Sequence, residues 1–166
     1  MTTTNLKSSK AAEKIKELAE AIDFTMLCTD LDSKPIHSIP MSTKRVDDDG
    51  SIWFLSGQDS THNANIRNDS KVQLLYSDPA SMRFLAVFGG AEIITDRLIL
   101  NELYGSTDDA WFEGVDDPNL SAIKVSPLDA HYWDAKKNQL VTLLKIGMAA
   151  AVGSKPDIIE HGNLSV

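Results

Sequence analysis

The residues best suited to chemistry lie in one short polar segment, residues 56–62, which reads Ser-Gly-Gln-Asp-Ser-Thr-His. The segment joins a predicted strand to a predicted helix, so hydroxyls, backbone N–H groups and a helix N-terminus come together there. Such a turn is typical of phosphate-binding sites, because the unpaired N–H groups of a helix N-terminus attract anions. The other interpretation is structural, with Ser60 only capping the helix. Both interpretations stay open at this point.

Three further residues suggest a surface with a special role. Pro40 interrupts a predicted strand, and because proline lacks a backbone N–H, that strand must lie at a sheet edge or contain a bulge. Trp111 lies in a predicted loop, where a large aromatic ring is costly to expose. Trp133 follows Tyr132 at the end of a strand, so one of the two side chains is expected to face outwards. Such aromatic residues usually belong to a core or an interface, but flat walls beside a phosphate site would also suit a planar phosphorylated cofactor.

Other kinds of site find no support. His37, His62, His131 and His161 are scattered without partners at metal-ligand spacing, so no metal site is predicted. Cys28 is the single cysteine; it can form no disulfide within the chain and is interpreted as a small buried residue. No nucleophile elbow, phosphate loop or dinucleotide fingerprint occurs.

Length and charge narrow the class of protein. The chain has 166 residues and a formal net charge of -8, which disfavours binding to nucleic acid and to anionic membranes. No apolar stretch is long enough for a membrane-spanning helix, and residues 1–10 lack the apolar core of a secretory signal. We therefore expect one cytoplasmic domain over residues 1–166, with no nucleic-acid or membrane partner.

The elements that must position these residues are mostly short strands. Period-two patterns between turn signals predict a mainly β (α+β) barrel with appended helices. The glycines at 89 and 90 predict a bulge or bend within one strand. Residues 1–8 are predicted to be a flexible tail. Helices are predicted near residues 12–22, 60–69, 96–104 and 138–152, and strands at residues 24–29, 35–45, 51–56, 71–76, 83–95, 121–125 and 129–133.

Nine short motifs, taken in order, resemble a known family. They are Pro35-Ile-His-Ser-Ile-Pro-Met-Ser, Asp49-Gly-Ser-Ile-Trp-Phe-Leu-Ser, Ser60-Thr-His-Asn-Ala-Asn-Ile, Val72-Gln-Leu-Leu-Tyr, Val87-Phe-Gly-Gly-Ala-Glu, Trp111-Phe-Glu-Gly-Val-Asp-Asp-Pro, Lys124-Val-Ser-Pro, Tyr132-Trp-Asp and Gly153-Ser-Lys-Pro-Asp. Each is weak alone, but their order and spacing over residues 8–166 resemble the general-stress-protein branch of the pyridoxamine 5'-phosphate oxidase-like, FMN-binding split-barrel superfamily.

The resemblance implies a six-stranded antiparallel split β-barrel with flanking helices, working as a homodimer with FMN at the subunit interface. It implies that residues 39–44 and 54–62 hold the ribityl phosphate and one flavin face. Ser56 and Ser60 would donate hydrogen bonds, Trp133 would approach the ring from the partner chain, and Trp111 would help to close the pocket. The implied cofactor-binding residues are Ile39, Pro40, Met41, Ser42, Lys44, Phe54, Leu55, Ser56, Ser60, Thr61, His62, Trp111 and Trp133.

Two positions depart from the pattern that the resemblance implies. The family usually has an arginine where Ile39 stands and a lysine or arginine where His62 stands, both as phosphate partners. A charge-assisted hydrogen bond contributes about 1.5–3 kcal/mol, so each loss would weaken FMN binding about tenfold or more. Lys44 is expected to compensate in part, since distant relatives with true oxidase activity place a phosphate-binding lysine there. If His62 supplies charge, FMN should bind more tightly below the pKa of its imidazole.

The resemblance therefore implies a flavin-dependent oxidoreductase of the general-stress type with an unknown substrate. The arginines that grip the substrate phosphate in true pyridoxamine phosphate oxidases have no counterpart here, so that reaction is not expected, and no catalytic residue is identified. The alternative is a dimer that binds or senses a flavin, or another flat ligand such as haem or a deazaflavin, without catalysis. A third possibility is a cofactor-free dimer whose pocket has degenerated.

Overall fold

Strands dominate the fold, as the sequence pattern predicts. The computed structural model describes residues 2–135 and 159–166. The strands are β1 (Thr2–Thr3), β2 (Leu6–Lys7), β3 (Phe24–Thr29), β4 (His37–Ser42), β5 (Arg45–Val46), β6 (Ile52–Gly57), β7 (Lys71–Asp78), β8 (Arg83–Ile94), β9 (Leu120–Ala135) and β10 (Ile159–Ser165). The helices are α1 (Ser9–Ile22), α2 (Thr61–Asn68) and α3 (Arg97–Leu103), followed by a 3₁₀ turn at Ser106–Ala110.

A circuit of antiparallel pairings closes the central barrel. Strand β3 pairs with β4 and β7, β7 with β8, β8 with β9, β9 with β6, and β6 with β5. Strands β4 and β5 follow each other along the chain, and between them the Lys44 N–H donates to the Trp53 carbonyl at 2.8 Å. If β4 and β5 are counted as one strand, they form with β3, β6, β7, β8 and β9 the six strands of the predicted split barrel.

The barrel is split along one side of β4. Over Phe24–Thr29, β3 pairs with β4, and no other strand of the described residues pairs with β4. Pro40 lies opposite Met26 on this edge strand and is exposed. The prediction that proline marks an edge strand is confirmed, because a residue without an N–H costs nothing on a side that has no partner.

The main core lies inside the barrel and beneath α1. The inward side chains of the strands alternate with outward ones, and fully buried residues such as Phe54, Leu74 and Ile123 fill the interior. Each buried side chain of this size contributes about 1.5–3 kcal/mol through the hydrophobic effect. Helix α1 is amphipathic as predicted and buries Ile15 and Leu18 against this core. A second core under α3 contains the buried Trp53.

The first residues differ from the predicted flexible tail. Strands β1 and β2 pair in parallel with β10, a strand that the sequence pattern did not predict. The Thr4 N–H donates to the His161 carbonyl at 2.8 Å, and the Ser8 N–H donates to the Ser165 carbonyl at 2.7 Å. The backbone of Thr4 lies so close to Gly162 that a Cβ there would clash with it. This polar segment is ordered by backbone hydrogen bonds, which require no hydrophobic pattern in the sequence.

Strand β9 is continuous, whereas two strands parted at Pro127 were predicted. The pairing with β8 shifts register there, from Phe88 opposite Asp129 to Gly89 opposite Pro127, which leaves Leu128 as the extra residue. The predicted bulge is confirmed, although the extra residue is on the strand opposite the glycines. A Cβ at position 89 would lie 2.6 Å from the Ser126 carbonyl oxygen, so only glycine fits.

The predicted helices near residues 12–22, 60–69 and 96–104 are confirmed as α1, α2 and α3. The predicted helix at residues 138–152 lies outside the described residues. Within residues 2–135 and 159–166, no helix combines the length and the apolar character that crossing a bilayer requires.

Candidate functional site

The turn between β6 and α2 begins with a sealed polar network. The Ser56 hydroxyl donates to Asn63 Oδ1 at 3.0 Å, Asn63 Nδ2 donates to the Ser121 hydroxyl at 3.0 Å, and that hydroxyl donates to the Ser56 carbonyl at 2.8 Å. All three residues are buried. The Ser56 hydroxyl, expected to donate to a ligand, is therefore engaged inside the fold, and we call this group the Ser56–Asn63–Ser121 network.

The next residues of the turn begin helix α2. The Ser60 hydroxyl accepts a hydrogen bond from the Asn63 backbone N–H at 3.3 Å, which is the helix-capping contact of the structural interpretation. A hydroxyl that accepts this bond keeps its own proton and can still donate it to a ligand. Thr61 is exposed at the first helical position. Capping and ligand binding at Ser60 are therefore compatible.

His62 is the residue of this turn whose polar group lacks a partner. Its side chain is half-buried, and Nε2 is fully buried without any hydrogen bond among the described residues. Burial lowers the pKa of the His62 imidazole, and the nearby His37 lowers that pKa further. A buried polar atom without a partner is costly, so this nitrogen calls for an explanation.

Strand β4 presents alternate residues to the two sides of the split. His37, Ile39 and Met41 are partly buried, and the last two pack against the main core. Pro40 is exposed on the other face. The Ser42 hydroxyl is occupied, since it donates to the Asp23 carboxylate at 2.8 Å. The predicted segment thus offers apolar contact at Ile39 and Met41 and an imidazole at His37.

Lys44 lies at the end of this segment in an ion pair that the sequence did not reveal. Its ammonium donates to both Asp108 oxygens, at 2.9 and 2.7 Å, and both side chains are largely buried. Asp108 also accepts a hydrogen bond from the Gly105 N–H at 2.8 Å. A ligand phosphate would have to compete with Asp108 for this ammonium, and the compensating role of Lys44 stays a prediction.

Two of the predicted residues fill cores. Phe54 is fully buried in the main core, and Leu55 packs against the second core on the other face of β6. The Phe54 side chain reaches no surface, and Leu55 is partly buried. Their part in the site is to fix the strand from which the turn at residues 56–62 emerges.

The two predicted aromatic residues lie in different elements, one in a loop and one on the sheet. Trp111 is 83% exposed, in a loop anchored to the turn by the Gln58 N–H, which donates to the Asn119 carbonyl at 2.7 Å. Trp133 lies partly exposed on the outer face of the sheet, with its ring centroid 4.4 Å from that of His131. Tyr132 is buried, so the prediction that one residue of this pair faces outwards is confirmed.

The structure therefore gathers only part of the predicted site. It brings His37 of β4 close enough to His62, at the start of α2, for the two imidazoles to interact, and it leaves Trp133 on the outer face. Sequence reasoning missed Asn63, Asp108 and the proximity of His37. The available signal for His37 was strand alternation, since it is two residues before Ile39 and shares its face.

Comparison with known sequences identifies a family. The sequence profile of the family described as "Pyridoxamine 5'-phosphate oxidase like" matches residues 10–157. General stress protein 26 of Bacillus subtilis is 27% identical over 99 residues, which covers 57% of this chain and 71% of that protein. Protein bli-3 of Neurospora crassa is 23% identical over 118 residues, covering 66% of this chain. The match spans only 56% of the length of the Neurospora protein.

Solved structures share the fold. A protein assigned to general stress protein 26 from Jannaschia sp. CCS1 superimposes with a TM-score of 0.79 at 24% identity, covering 95% of this chain and 98% of that one. A protein named a general stress FMN/FAD binding protein, from Xanthomonas citri, superimposes with a TM-score of 0.66 at 24% identity. That match covers 78% of this chain and 92% of the Xanthomonas chain. These similarities confirm the split-barrel fold.

Proposed function

This chain belongs to the pyridoxamine 5'-phosphate oxidase-like family, and on that premise we propose that it binds FMN and acts as a flavin-dependent oxidoreductase of the general-stress type. The similarity to general stress protein 26 supports the type, and the name of the Xanthomonas relative supports a flavin as ligand. The substrate is a small redox partner of unspecified structure.

The observation that carries the proposal is the unpartnered Nε2 of His62. It lies buried at the start of α2, where His37 of β4 acts on the same imidazole. Leaving such an atom without a hydrogen bond costs about 1–3 kcal/mol. Once the imidazole turns outwards, an anionic phosphate would accept a hydrogen bond from this nitrogen and would also be attracted by the N-terminus of the helix. The residues present therefore fit the phosphate end of FMN.

The chain's own groups have separate parts in holding the cofactor. His62 and Ser60 would donate hydrogen bonds to the phosphate, while Ile39 and Met41 would give the ring apolar contact and exclude water. When bound, FMN supplies the electron-transfer chemistry, which the protein alone lacks. Trp133 is on the outer sheet face, so it would reach a flavin only from a second subunit.

The outer face of the sheet supports a homodimer. Met26 of β3, Leu75 of β7 and Ala86 of β8 lie side by side in the pairing register. Phe24 is 62% exposed, Leu75 46% and Met26 39%. A contiguous apolar surface of this kind on a sheet is typical of a protein interface. We propose that a second copy of the chain covers this face and brings its Trp133 to the flavin.

The second candidate is a flavin-binding or flavin-sensing dimer without catalysis. Two observations favour it: Ile39 carries no charge, and the Lys44 ammonium is already held by Asp108. The phosphate site therefore has fewer permanent charges than the family pattern implies. Weak binding would suit release or sensing better than permanent retention of a cofactor.

Titration of the purified protein with FMN tests the proposal. We expect quenching of flavin fluorescence, a dimer mass in light scattering, and bleaching of the bound flavin by NADH or NADPH. Binding without reduction by either nucleotide would favour the non-catalytic candidate. A protein that leaves FMN fluorescence unchanged at every concentration would refute flavin binding. The variant Leu75→Lys should yield monomers, because it places a charge in the proposed interface.

A further inference from the structure

We propose that His37 and His62 together form a proton-dependent binding site for a phosphate monoester, which we call the seat. The two imidazoles would supply the positive charge that the family pattern provides through permanent cations at positions 39 and 62. The inference rests on the proposed function and deepens it, because it assigns His37, which is not among the implied cofactor-binding residues, to the phosphate end of the flavin site. It also predicts that this chain takes up protons when it binds its cofactor.

Strand geometry places His37 where a substitute for the missing charge is needed. His37 and Ile39 are two residues apart on β4, so their side chains share one face and start about 7 Å apart. Ile39 is turned towards the main core and can only give apolar contact. The next position on that face, at the start of β4, is His37.

His62 approaches the same place from the start of α2. His37 pairs with Thr29 at the end of β3, and Asn65 of α2 donates to the Thr29 hydroxyl at 3.0 Å, so β4 and α2 lie against the same end of β3. The His62 Nε2 is buried and has no partner among the described residues, and His37 lowers the pKa of the His62 imidazole. Two imidazoles that repel each other when charged, with one buried donor unused, form an arrangement that an anion between them would stabilise. A phosphate dianion favours the charged form of both rings, because opposite charges within a few ångströms raise an imidazole pKa.

The charged groups near the two histidines in the chain have their own contacts where the structure shows them. On the helix side, Arg67 donates to the Gln58 carbonyl at 3.0 Å. At the end of β3, Asp30 accepts a hydrogen bond from the Ser33 hydroxyl. After β4, Lys44 is held by Asp108. His37 is the titratable group that acts on His62 among the described residues. The proton-dependent part of the charge at the seat therefore comes from these two histidines.

The chemistry of the pair fixes the direction of the pH dependence. The unperturbed pKa of imidazole is about 6.5, whereas the second pKa of a phosphate monoester is about 6. As the pH falls from about 8.5 to about 6.5, the ligand remains mostly a dianion, while protonation of imidazoles beside it increases. FMN binding should therefore strengthen as the pH falls over this range.

The test compares FMN with riboflavin, which lacks the phosphate, on the same protein. The dissociation constant of FMN should fall about tenfold or more from pH 8.5 to pH 6.5, and that of riboflavin should change less than about twofold. His37→Gln and His62→Gln should each remove about half of the logarithmic pH response, and the double variant should remove it. Inorganic phosphate should compete with FMN but not with riboflavin.

Matched controls keep the outcomes distinct. His161→Gln, on β10, should keep the full pH response, and riboflavin binding by each variant shows that it is folded. His37→Lys should bind FMN tightly with a reduced pH response, since it supplies a permanent charge. Retention of the full pH response in His37→Gln, or equal affinities for FMN and riboflavin at every pH, would overturn the inference alone. Failure of both flavins to bind would overturn the proposed function and the inference with it.

Discussion

Two neighbouring polar groups at the β6–α2 turn differ in how their hydrogen bonds are used. In the Ser56–Asn63–Ser121 network, the side chains are buried and hydrogen-bonded to one another. At His62, a few residues along the same turn, a buried nitrogen has no partner within the described residues. Residue type therefore does not distinguish a structural polar group from one that can bind a ligand. What distinguishes them is whether the rest of the fold provides a hydrogen-bond partner.

The largest effect on stability should come from disrupting the Ser56–Asn63–Ser121 network. Asn63→Ala removes the amide that bridges the Ser56 and Ser121 hydroxyls, and both would remain buried. A buried group without its partner costs about 1–3 kcal/mol, so we expect a loss of about 2–4 kcal/mol in the free energy of unfolding. Urea denaturation would measure it.

A matched substitution on the same helix provides the control for Asn63→Ala. Asn68→Ala changes the same residue type at an exposed position near the end of α2, and should alter the unfolding free energy by less than about 0.5 kcal/mol. Equal losses for the two variants would contradict the structural importance that we assign to the network.

A smaller effect should follow from opening the Lys44–Asp108 ion pair. We expect Lys44→Met to lower the free energy of unfolding by about 1–3 kcal/mol, since it leaves a largely buried carboxylate without its cation. Its effect on FMN affinity should be smaller than that of His62→Gln, because Asp108 already holds the ammonium. Parallel urea and flavin titrations measure both quantities.

The same ion pair has a sharper test in a double-mutant cycle with Asp108→Asn, which isolates the coupling between the two side chains. If Lys44→Met weakens FMN binding more than His62→Gln does, Lys44 is the main phosphate partner. The assignment of His62, rather than Lys44, as the polar group left for a ligand would then be wrong.

The smallest effect should appear in the unliganded protein on acidification. Burial lowers the pKa of His62 in the folded state below its usual value of about 6.5, so the unfolded chain takes up the proton more readily. The contribution of His62 to stability is complete above about pH 6.5 and is lost as the pH falls towards the lower folded pKa. The wild type should therefore lose more stability than His62→Gln between about pH 7.5 and about pH 5.5.

Urea midpoints of both proteins at the two pH values give this difference, and the carboxylates that titrate in the same range cancel between them. Parallel losses in the two proteins would show that His62 is equally easy to protonate in the folded and unfolded chains, contrary to its buried position.

Local signals predicted much of the fold. The strand Phe24–Thr29 was predicted with its observed bounds, because an alternating pattern ends at a run of turn residues. The turn before Ser51 contains three aspartates and Gly50, which adopts a φ of 85°, and such residues are a local signal for a hairpin turn. Pro40 marked the edge strand because a missing N–H restricts where a strand can lie.

Features that depend on distant partners were not predictable in the same way. Strand β10 and the two short strands that pair with it are held by backbone hydrogen bonds, and in β10 only Gly162 and Leu164 are buried. The engagement of Ser56 with Asn63 and Ser121 requires β9 to lie beside β6. His37 and His62 lie near each other because β4 pairs with β3, against which α2 also lies, and neither segment alone shows this.

The unequal burial of the three tryptophans makes the molecule its own optical reporter. Trp53, sealed in the second core with the Arg45 guanidinium 4.8 Å from its ring, should emit at short wavelength and resist iodide. Trp111, almost wholly in water, should emit at long wavelength and be quenched at once. Trp133 lies between these extremes on the face assigned to a second subunit, so its emission should shift to the blue on association. Single-tryptophan variants would thus follow unfolding, loop motion and assembly separately in one cuvette.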